Sequence, residues 1–325
     1  MQATTITITE AGGPEVMAVQ TAEVGAPAAG EVLVRQTAVG LNYIDTYHRS
    51  GLYPLTFPSG IGLEAAGVIE AVGSGVHDFV EGDRVGYCTG PLGAYASARV
   101  MPTGTLVRLP DAVDDRTAAA MLLKGLTVQY LIRQLYPVSE GETVLFHAAA
   151  GGVGLIACQW LDALGVRVIG TVGSAEKGKL ARDHGCHHVI NYREEDVVAR
   201  VKELTDGKGV PVVYDGVGAD TWEMSLDCLQ MFGTMVSFGN ASGAVPPVNL
   251  GQLAAKGSLF VSRPTLLNYA GTPLQVQTMA RDLFRRVKAG DVTIRIDQTY
   301  PLSEVVQAHR DLEGRKTTGS TVLLP

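Results

Sequence analysis

Cysteine, aromatic residues and long apolar runs are all scarce in this chain. It has four cysteines in 325 residues, and none of them forms the C-x-x-C pair that marks many zinc and redox centres. Scattered thiols are typical of proteins in a reducing compartment, so a cytoplasmic protein is expected. No apolar run approaches the roughly 20 residues of a membrane-spanning helix. The opening sequence also lacks the basic start and apolar core of a signal peptide, so none is expected.

Positive charge is also in deficit. The formal net charge is -7 at pH 7, and aromatic residues make up only 6% of the chain. Proteins that bind nucleic acid or anionic membranes generally present a basic surface, so neither partner is expected here. No internal repeat and no low-complexity segment occurs. A chain of this length is longer than most proteins that fold around a single hydrophobic core, so two domains are predicted.

One stretch, residues 142–174, has the pattern of a strand, a helix and a second strand. An apolar run at 144–146 predicts a buried strand, and Ala148-x-x-Gly151-x-x-Gly154 follows it before a helical apolar pattern. A second apolar run, 166–172, closes the unit at the usual length. Small residues at such a turn let the backbone approach a pyrophosphate, and the helix start offers free N–H groups. The stretch predicts a dinucleotide site, although Ala148 stands where the fingerprint usually has glycine.

The order of the remaining predicted strands and helices divides the chain into segments. Residues 1–125 are mostly strands and predict a compact β-barrel-like domain, with one helix that Asn42 caps and that ends near Gly51. A helical stretch at 114–135, with a break at Gly125, is expected to cross between domains. Strands and helices then alternate to 265, which predicts a parallel, doubly wound sheet. Residues 266–325, with strands at 292–296 and 321–324, lack that rhythm and are expected to rejoin the first domain.

Several further motifs occur in a characteristic order. They are Gly62-Leu63-Glu64-Ala65-Ala66-Gly67-Val68, Val72-Gly73-Ser74-Gly75-Val76, Gly82-Asp83-Arg84-Val85, Lys124-Gly125-Leu126-Thr127, His147-Ala148-Ala149-Ala150-Gly151-Gly152-Val153-Gly154 and Val236-Ser237-Phe238-Gly239-Asn240. With them the chain resembles the medium-chain dehydrogenase/reductase superfamily and, within it, the NADPH:quinone oxidoreductases related to zeta-crystallin. The resemblance covers essentially the whole length and implies that alanine is tolerated at position 148. It implies an α/β protein in which a Rossmann domain, 126–265, is inserted into a GroES-like β-rich catalytic domain, 1–125 and 266–325.

The residues that follow the second strand of the 142–174 stretch indicate which nicotinamide cofactor is bound. An NAD enzyme usually has an acid about 20 residues after the glycines, which binds the ribose 2′-hydroxyl. No acid ends this strand, and Ser174 and Lys177 follow instead, where a 2′-phosphate would need donors and positive charge. We therefore expect NADPH rather than NADH, with the acid Glu176 pointing outward.

The adenine side of the cofactor has two further candidates after the next strand, Tyr192 and Arg193. The resemblance supports Lys177 and Tyr192 most, and the alternative is that Lys177 and Arg193 are solvated surface charges. The complete cofactor-binding set, much of it implied by the resemblance, is Asn42, Asp45, Tyr130, Gly151, Gly152, Val153, Gly173, Ser174, Lys177, Tyr192, Phe238, Gly239, Ser242 and Arg263.

Zinc is not expected. By resemblance, Asn42 stands where many relatives have a zinc-binding cysteine, and Leu63 replaces the histidine of Gly-His-Glu; neither side chain is a zinc ligand. A second stretch, 183–188, contains three histidines and a cysteine, but alternation along a strand would send His187 and His188 to opposite faces. Without a Lewis acid the alkoxide of an alcohol substrate is poorly stabilised, which favours reduction of an electrophilic acceptor such as a quinone.

The predicted catalytic residues are Asn42, Tyr47 and Tyr53, because a tyrosine offers a flat apolar face and a hydroxyl donor. Each tyrosine has the alternative of a purely packing role. Glu64 is expected to make a structural hydrogen bond, and His147 is expected to bond to the backbone.

Three functions stay open on sequence alone. Quinone reduction is favoured, reduction of an activated double bond such as an alkenal or enone is the alternative, and some relatives serve as lens crystallins or bind RNA. A late apolar strand, 258–262, is expected either to pair across a two-fold axis or to be covered within the chain. The resemblance implies a homodimer.

Overall fold

The computed structural model describes all 325 residues in two compact units. One consists of Met1–Leu126, Ala270–Lys288 and Ile294–Pro325, and the other of Thr127–Tyr269 and Ala289–Thr293. The second unit thus interrupts the first along the chain. The predicted domain limits, 1–125, 126–265 and 266–325, stay a prediction. None of the helices combines the length and the apolar character needed to cross a membrane.

The first part of the first unit is mostly strands, with one short and one long helix. Its elements are β1 (Gln2–Ile8), β2 (Ala18–Glu23), β3 (Glu31–Leu41), α1 (Tyr43–Ser50), β4 (Ser59–Gly60), β5 (Glu64–Val72), β6 (Arg84–Tyr87), β7 (Ala98–Pro102), β8 (Val107–Arg108) and α2 (Asp115–Tyr130). Helix α1 begins and ends as predicted. Asn42 is its extended N-cap, and Gly51 ends it at φ 82°, a left-handed conformation that glycine adopts without strain.

Helix α2 corrects the prediction of a break at Gly125. The helix runs through this glycine to Tyr130 and continues as a π-helix, Leu131–Leu135. A Cβ on Gly125 would lie 2.4 Å from Cδ2 of Leu283. The glycine therefore serves close packing, and no turn is needed to explain it.

The second unit contains the alternating elements. They are β9 (Thr143–Phe146), α3 (Gly152–Asp162), β10 (Arg167–Val172), α4 (Ala175–Arg182), β11 (His188–Asn191), α5 (Val197–Leu204), β12 (Val210–Asp215), α6 (Trp222–Cys228), β13 (Leu229–Ser237), α7 (Gly251–Ala255), β14 (Phe260–Ser262) and α8 (Leu266–Tyr269). All six strands are parallel, in the order β11-β10-β9-β12-β13-β14. The predicted doubly wound sheet is confirmed, and its strand order reverses direction between β9 and β12.

The chain ends with α9 (Pro273–Ala289), β15 (Ile296–Pro301), α10 (Val305–Glu313) and β16 (Ser320–Leu324). Strands β15 and β16 join the first unit in a seven-stranded sheet of order β15-β16-β3-β5-β6-β8, with β7 paired to β3. A small sheet, β2-β1-β4, completes this unit. The strand predicted at 292–296 in fact begins at Ile296, because pairing with β16 rather than local alternation sets its limits.

Each unit has its own apolar core. In the first unit, buried side chains of both sheets and of α10 pack together, among them Tyr87, Tyr95 and Val305. In the second, Leu145 and Ile169 of the sheet pack with Trp222 of α6. Burial of such large apolar side chains is the main favourable contribution to folding.

Candidate active site

The predicted cofactor residues of the second unit gather at one edge of its sheet. In parallel strands the carboxyl ends all lie at the same edge, and ligands of doubly wound sheets bind there. The residues that follow those ends are Gly151, Gly152 and Val153 after β9, Gly173, Ser174 and Lys177 after β10, Tyr192 after β11, Phe238, Gly239 and Ser242 after β13, and Arg263 after β14. The topology therefore places eleven of the predicted residues at a single edge.

The turn between β9 and α3 is tight and leaves the helix start uncapped. Ala148 takes a left-handed conformation, φ 54°, and its carbonyl oxygen accepts from the Gly151 N–H at 2.9 Å. Gly151 is the N-cap of α3, and no side chain bonds to the helix N–H groups there. A Cβ on Gly154 would lie 2.4 Å from that same carbonyl oxygen. Only glycine fits this position, and the uncapped helix start is suited to an anionic pyrophosphate.

The turn after β10 brings Gly173 and Tyr192 together. A Cβ on Gly173 would lie 2.5 Å from the hydroxyl oxygen of Tyr192, so this phenol rests on the glycine backbone. Ser174 is the N-cap of α4, and its hydroxyl accepts from the Lys177 N–H at 3.3 Å. Glu176 is exposed, in line with its expected outward direction.

The turn after β13 is held by its own hydrogen bonds. The ring of Phe238 packs at a tilt against that of Phe146, with ring centroids 5.8 Å apart, and the Ser242 hydroxyl donates to the Val217 carbonyl at 2.9 Å. Arg263 follows β14 and donates to the carbonyl of Ser237 at 2.8 Å. The hydroxyl of Ser237 is buried and has no hydrogen-bond partner in the protein.

Tyr130 lies outside this group of residues. It is the last residue of α2, and its ring stacks on Tyr269 at 4.5 Å with an interplanar angle of 11°. The Tyr130 ring is buried in this stacked pair. A cofactor-binding role for Tyr130 stays a prediction.

In the first unit, Asn42 is fixed by a buried ion pair. Its side-chain N–H donates to Oε2 of Glu64 at 2.7 Å, and the same oxygen lies 3.6 Å from Nζ of Lys124. The other oxygen of Glu64 accepts from the Leu123 N–H at 2.7 Å. Burial raises the pKa of Glu64, while Lys124 and the hydrogen bonds oppose that effect. Glu64 thus makes the structural hydrogen bonds that were expected of it.

Asp45 is the most unusual acid of this unit. It is fully buried, and its Oδ2 accepts from the Asn42 backbone N–H at 2.9 Å and from the Tyr95 hydroxyl at 2.8 Å. Oδ1 has no hydrogen-bond partner. Burial raises the pKa of Asp45 to about 7, against the opposing effect of those hydrogen bonds. The group therefore changes its protonation near neutral pH.

The two tyrosines predicted to be catalytic are in contact with each other. The rings of Tyr47 and Tyr53 meet edge-on at 5.2 Å, and Tyr43 lies 6.0 Å from Tyr47 on the same helix. Tyr47 is buried and Tyr53 half-buried. The structure brings these aromatic side chains together with Asn42 and Asp45 on and beside α1.

His147 corrects the expectation that it bonds to the backbone. Its two ring nitrogens pair with hydroxyls, Nδ1 with Thr171 at 2.9 Å and Nε2 with Ser225 at 3.0 Å. Ser225 donates to the buried Asp215 at 2.8 Å, and burial lowers the pKa of His147. In a hydrolytic triad the histidine lies between serine and acid, whereas here the serine lies between them. The network fixes the end of β9 just before the glycine turn.

Sequence reasoning missed Tyr95, Arg49 and His309, which belong to the network around Asp45. His309 is 214 positions from the tyrosine that it contacts. The only local sign was a charge pattern with four-residue spacing, Asp45 and Arg49 on α1 and His309 and Glu313 on α10.

The side chains of both units give no metal-binding cluster. No group of three or more histidine, cysteine, aspartate or glutamate residues is arranged to hold a metal ion. In the stretch 183–188, His184 bonds to the Leu180 carbonyl and His187 accepts from the Val168 N–H, so the imidazoles have separate partners.

These features fit a phosphorylated dinucleotide. The uncapped start of α3 suits the pyrophosphate. No acid ends β10, Lys177 follows it, and the acid next to Lys177, Glu176, is exposed. The buried, unpartnered hydroxyl of Ser237 lies at the same edge of the sheet.

Comparison with known proteins agrees with this geometry. Residues 152–270 match the family described as zinc-binding dehydrogenase, and residues 28–111 match the alcohol dehydrogenase GroES-like domain. The chain is 59% identical over 315 residues to a quinone oxidoreductase of Pseudomonas aeruginosa, and the match covers 97% of each chain. The chain belongs to the quinone oxidoreductase family of the medium-chain dehydrogenase/reductase superfamily.

Two further members of this superfamily are informative. The solved structure of Escherichia coli quinone oxidoreductase complexed with NADPH has a TM-score of 0.97 and 51% identity, and the match covers 99% of this chain and 100% of that chain. A 2-haloacrylate reductase of a Burkholderia species is 45% identical over 321 residues, 97% of this chain and 96% of the relative. Members of one family thus carry names for two kinds of acceptor.

Proposed function

We propose that this chain is a zinc-independent, NADPH-dependent quinone reductase. The observation that carries the proposal lies at the carboxyl edge of the parallel sheet. There the start of α3 is uncapped, and β10 ends without an acid and is followed by Lys177. The 51% identical Escherichia coli quinone oxidoreductase, solved with NADPH, supports the same cofactor. The 59% identical relative from Pseudomonas aeruginosa supports a quinone as the acceptor.

The residues at the edge of the sheet have distinct proposed roles. The N–H groups of Gly152 and Val153 bind the pyrophosphate, and Lys177 together with Ser174 and Tyr192 binds the 2′-phosphate end. Phe238, Gly239, Ser242 and Arg263 hold the nicotinamide half. Asn42 and Asp45 bind the cofactor from the first unit, as the family resemblance implies.

When bound, NADPH supplies a hydride from C4 of its nicotinamide ring. The protein's own contribution is positioning and hydrogen bonding. The half-buried ring of Tyr53, which meets the buried Tyr47 edge-on, offers an apolar face to a quinone ring, and the Tyr53 hydroxyl is a donor for the oxyanion that develops on the acceptor. Because Asn42 is locked by Glu64, its side chain holds one orientation throughout.

Zinc independence is supported by the donor set. By family resemblance, Asn42 and Leu63 stand at the positions that bind zinc in other members of the superfamily, and the amide of Asn42 is already bonded to Glu64. The match to the family described as zinc-binding dehydrogenase covers 152–270 and so includes neither Asn42 nor Leu63. Neither amide nor leucine side chain is a usual ligand of zinc.

Reduction of an activated double bond is the second candidate. The 45% identical 2-haloacrylate reductase supports it, since the same hydride can be delivered to a carbon conjugated with a carboxylate. Such a substrate would need a cation beside it. A quinone, an alkenal or an enone carries no such charge, so only the 2-haloacrylate differs from a quinone in the charge of the acceptor.

The deciding experiment measures oxidation of NADPH and of NADH with a panel of acceptors. The panel contains 1,4-benzoquinone, 9,10-phenanthrenequinone, an alkenal, a cyclic enone and 2-chloroacrylate, each with and without a metal chelator. Quinone reduction that prefers NADPH and is unaffected by chelation supports the proposal. Activity confined to 2-chloroacrylate or enones supports the second candidate, and loss of activity on chelation would refute zinc independence.

A cytoplasmic homodimer is also proposed. All four cysteines are free and buried, which supports a reducing compartment. Strand β14 pairs only with β13, so its other edge lies open, and Phe260 and Val261 on it are exposed together with Met231 and Phe232. An open edge with apolar side chains favours pairing with the same strand of a second copy.

A further inference from the structure

A groove of the first unit lies between helix α9 and the segment 107–113, which begins with strand β8. Its volume is about 610 Å³, within the range of roughly 300–1,000 Å³ that is usual for small-molecule sites. All of its lining residues belong to the first unit, so the groove is complete there. None of the residues assigned above to the cofactor or to catalysis lines it.

Helix α9 forms one wall of the groove with a stripe of side chains beside its buried stripe. The buried stripe, which packs the helix on the core, is Val276, Met279, Ala280 and Leu283. The stripe that lines the groove is Gln277, Arg281, Phe284, Arg285 and Lys288. Spacings of three and four residues place each set on one helix face. The amide of Gln277 donates to the Leu106 carbonyl at 2.7 Å, which holds the helix against the opposite wall.

Two of the four cations that line the groove are compensated by acids. Arg108 forms an ion pair with Asp83. Arg285 forms one with Asp282 at 2.6 Å, three residues earlier on α9. These two guanidinium groups therefore have partners within the protein and need no ligand.

The other two cations, Arg281 and Lys288, are exposed, and neither side chain has an acid within ion-pair distance. Lys288 lies in the last turn of α9, where the helix dipole favours a positive charge. Arg281 lies seven positions earlier and has no such explanation. The groove thus contains positive charge that the protein itself leaves unpaired.

The rest of the lining is largely apolar and contains no acid. Val107, Val113 and Phe284 are among its apolar members. Asp111 is exposed and is not part of the lining, although residues on both sides of it are. Acids outnumber bases in the whole chain by 33 to 26, so a groove with four cations and no acid departs from the general surface. Such a surface is complementary to an anion with an apolar body.

We propose that this groove is a binding site for a small organic anion of the class of aromatic carboxylates. The carboxylate pairs with Arg281 and Lys288, and the ring lies against the apolar wall that includes Phe284. An inorganic anion would leave that wall uncovered, and a neutral ring would leave the two cations unpaired. The site shares no residue with the proposed function and does not depend on it.

The experiment compares two probes with the same ring, 2-naphthoate and the uncharged 2-naphthamide, by isothermal titration calorimetry. The wild-type protein is expected to bind one naphthoate with a dissociation constant below about 1 mM, and naphthamide about tenfold more weakly. Raising the salt concentration from about 0.05 to about 0.5 M should weaken naphthoate binding alone. Each titration is repeated with an excess of NADPH, because the edge of the parallel sheet also attracts anions.

Substitutions at exposed positions locate the bound probe. The double variant Arg281→Gln/Lys288→Gln should bind naphthoate about tenfold more weakly and leave naphthamide binding unchanged. Ala112→Phe, in the lining of the groove, should weaken the binding of both probes by filling the space that the ring occupies. Arg310→Gln removes an exposed cation from α10 of the same unit and is the matched control, which should bind as wild type does.

Three results would overturn the inference. They are equal affinities for naphthoate and naphthamide, no binding of naphthoate, and naphthoate binding that Arg281→Gln/Lys288→Gln leaves unchanged. If NADPH also abolishes the binding in that last case, the anion occupies the edge of the sheet. A protein that binds naphthoate through Arg281 but binds no NADPH would refute the proposed function and support this site.

Discussion

Gly154 approaches the carbonyl oxygen of Ala148 so closely that a Cβ on the glycine would lie 2.4 Å from that oxygen and 2.7 Å from the Ala149 backbone. The neighbouring atoms are backbone and cannot rotate away. The turn between β9 and α3 therefore depends on a missing side chain at position 154, while position 148 tolerates alanine despite its left-handed φ of 54°.

Gly154→Ala is accordingly expected to destabilise the protein by about 1–3 kcal/mol and to weaken NADPH binding, because the helix start must move. Urea denaturation and fluorescence titration with NADPH measure the two effects. Gly25→Ala is the matched control, since a Cβ there meets nothing within 4 Å. Equal stabilities of the two variants would contradict the packing argument.

Much of this turn could be predicted from the sequence, because its elements are local. The glycine spacing, the strand before it and the helix after it all lie within 142–174. Helix α1 could be predicted in the same way, since Asn42 and Gly51 mark its two ends within ten positions. Where cap and hydrophobic period agree, a local pattern is sufficient to fix an element.

Features set by distant partners could not be predicted. Gly125 looked like a helix break, but it accommodates Leu283, which is far away along the chain. The limits of β15 follow from parallel pairing with β16. Tyr95 and His309 carry no motif at all, and only the fold brings them together. Their role depends on geometry that no local spacing encodes.

Lys177→Ala tests the choice between the two nicotinamide cofactors. The Michaelis constant for NADPH is expected to rise by about 10- to 100-fold, since a charge-assisted contact to the 2′-phosphate is lost, while that for NADH stays unchanged. Lys179→Ala is the control on the same helix, because Lys179 is exposed and pairs with Asp183. If both Michaelis constants change by the same small factor, the phosphate assignment is wrong.

Asp45 and His309 have opposite effects on stability as the pH changes. In the folded protein the pKa of Asp45 is raised from 3.8 to about 7, so folding takes up a proton between these values and stability falls as the pH rises. The pKa of His309 is lowered from 6.5 to about 3, so folding releases a proton there and stability rises with pH. Each slope is about 1.4 kcal/mol per pH unit, and in the wild-type protein the two nearly cancel.

Single substitutions are expected to reveal these slopes. Between pH 4.5 and 6, the unfolding free energy of Asp45→Asn should rise by about 2 kcal/mol relative to wild type, and that of His309→Gln should fall by about as much. Urea denaturation at a series of pH values measures both, and all other titrating groups are common to the three proteins. Curves that run parallel to wild type would show that neither group has its pKa shifted in the folded state.

Tyr53→Phe tests the proposed donor to the acceptor. Loss of one hydrogen bond to a developing oxyanion should lower kcat with quinones by about 10- to 100-fold and leave the Michaelis constant for NADPH unchanged. Tyr43→Phe, which alters a neighbouring ring on α1, is the control and should keep its rate. An unaltered rate and acceptor range in Tyr53→Phe would remove this residue from the mechanism.

The open edge of β14 makes the proposed dimer testable. Phe260 and Val261 are 61% and 41% exposed, and a charge placed on this edge would be buried without a partner if two copies of the strand pair. Val261→Lys is therefore expected to give a molar mass near 34.3 kDa by light scattering, where the wild-type protein gives twice that value. Val80→Lys, at a position that is 60% exposed in the first unit, should remain a dimer. Lysine on an edge strand blocks the addition of another strand. A Val261→Lys protein that still has the doubled mass would therefore show that the dimer interface lies elsewhere.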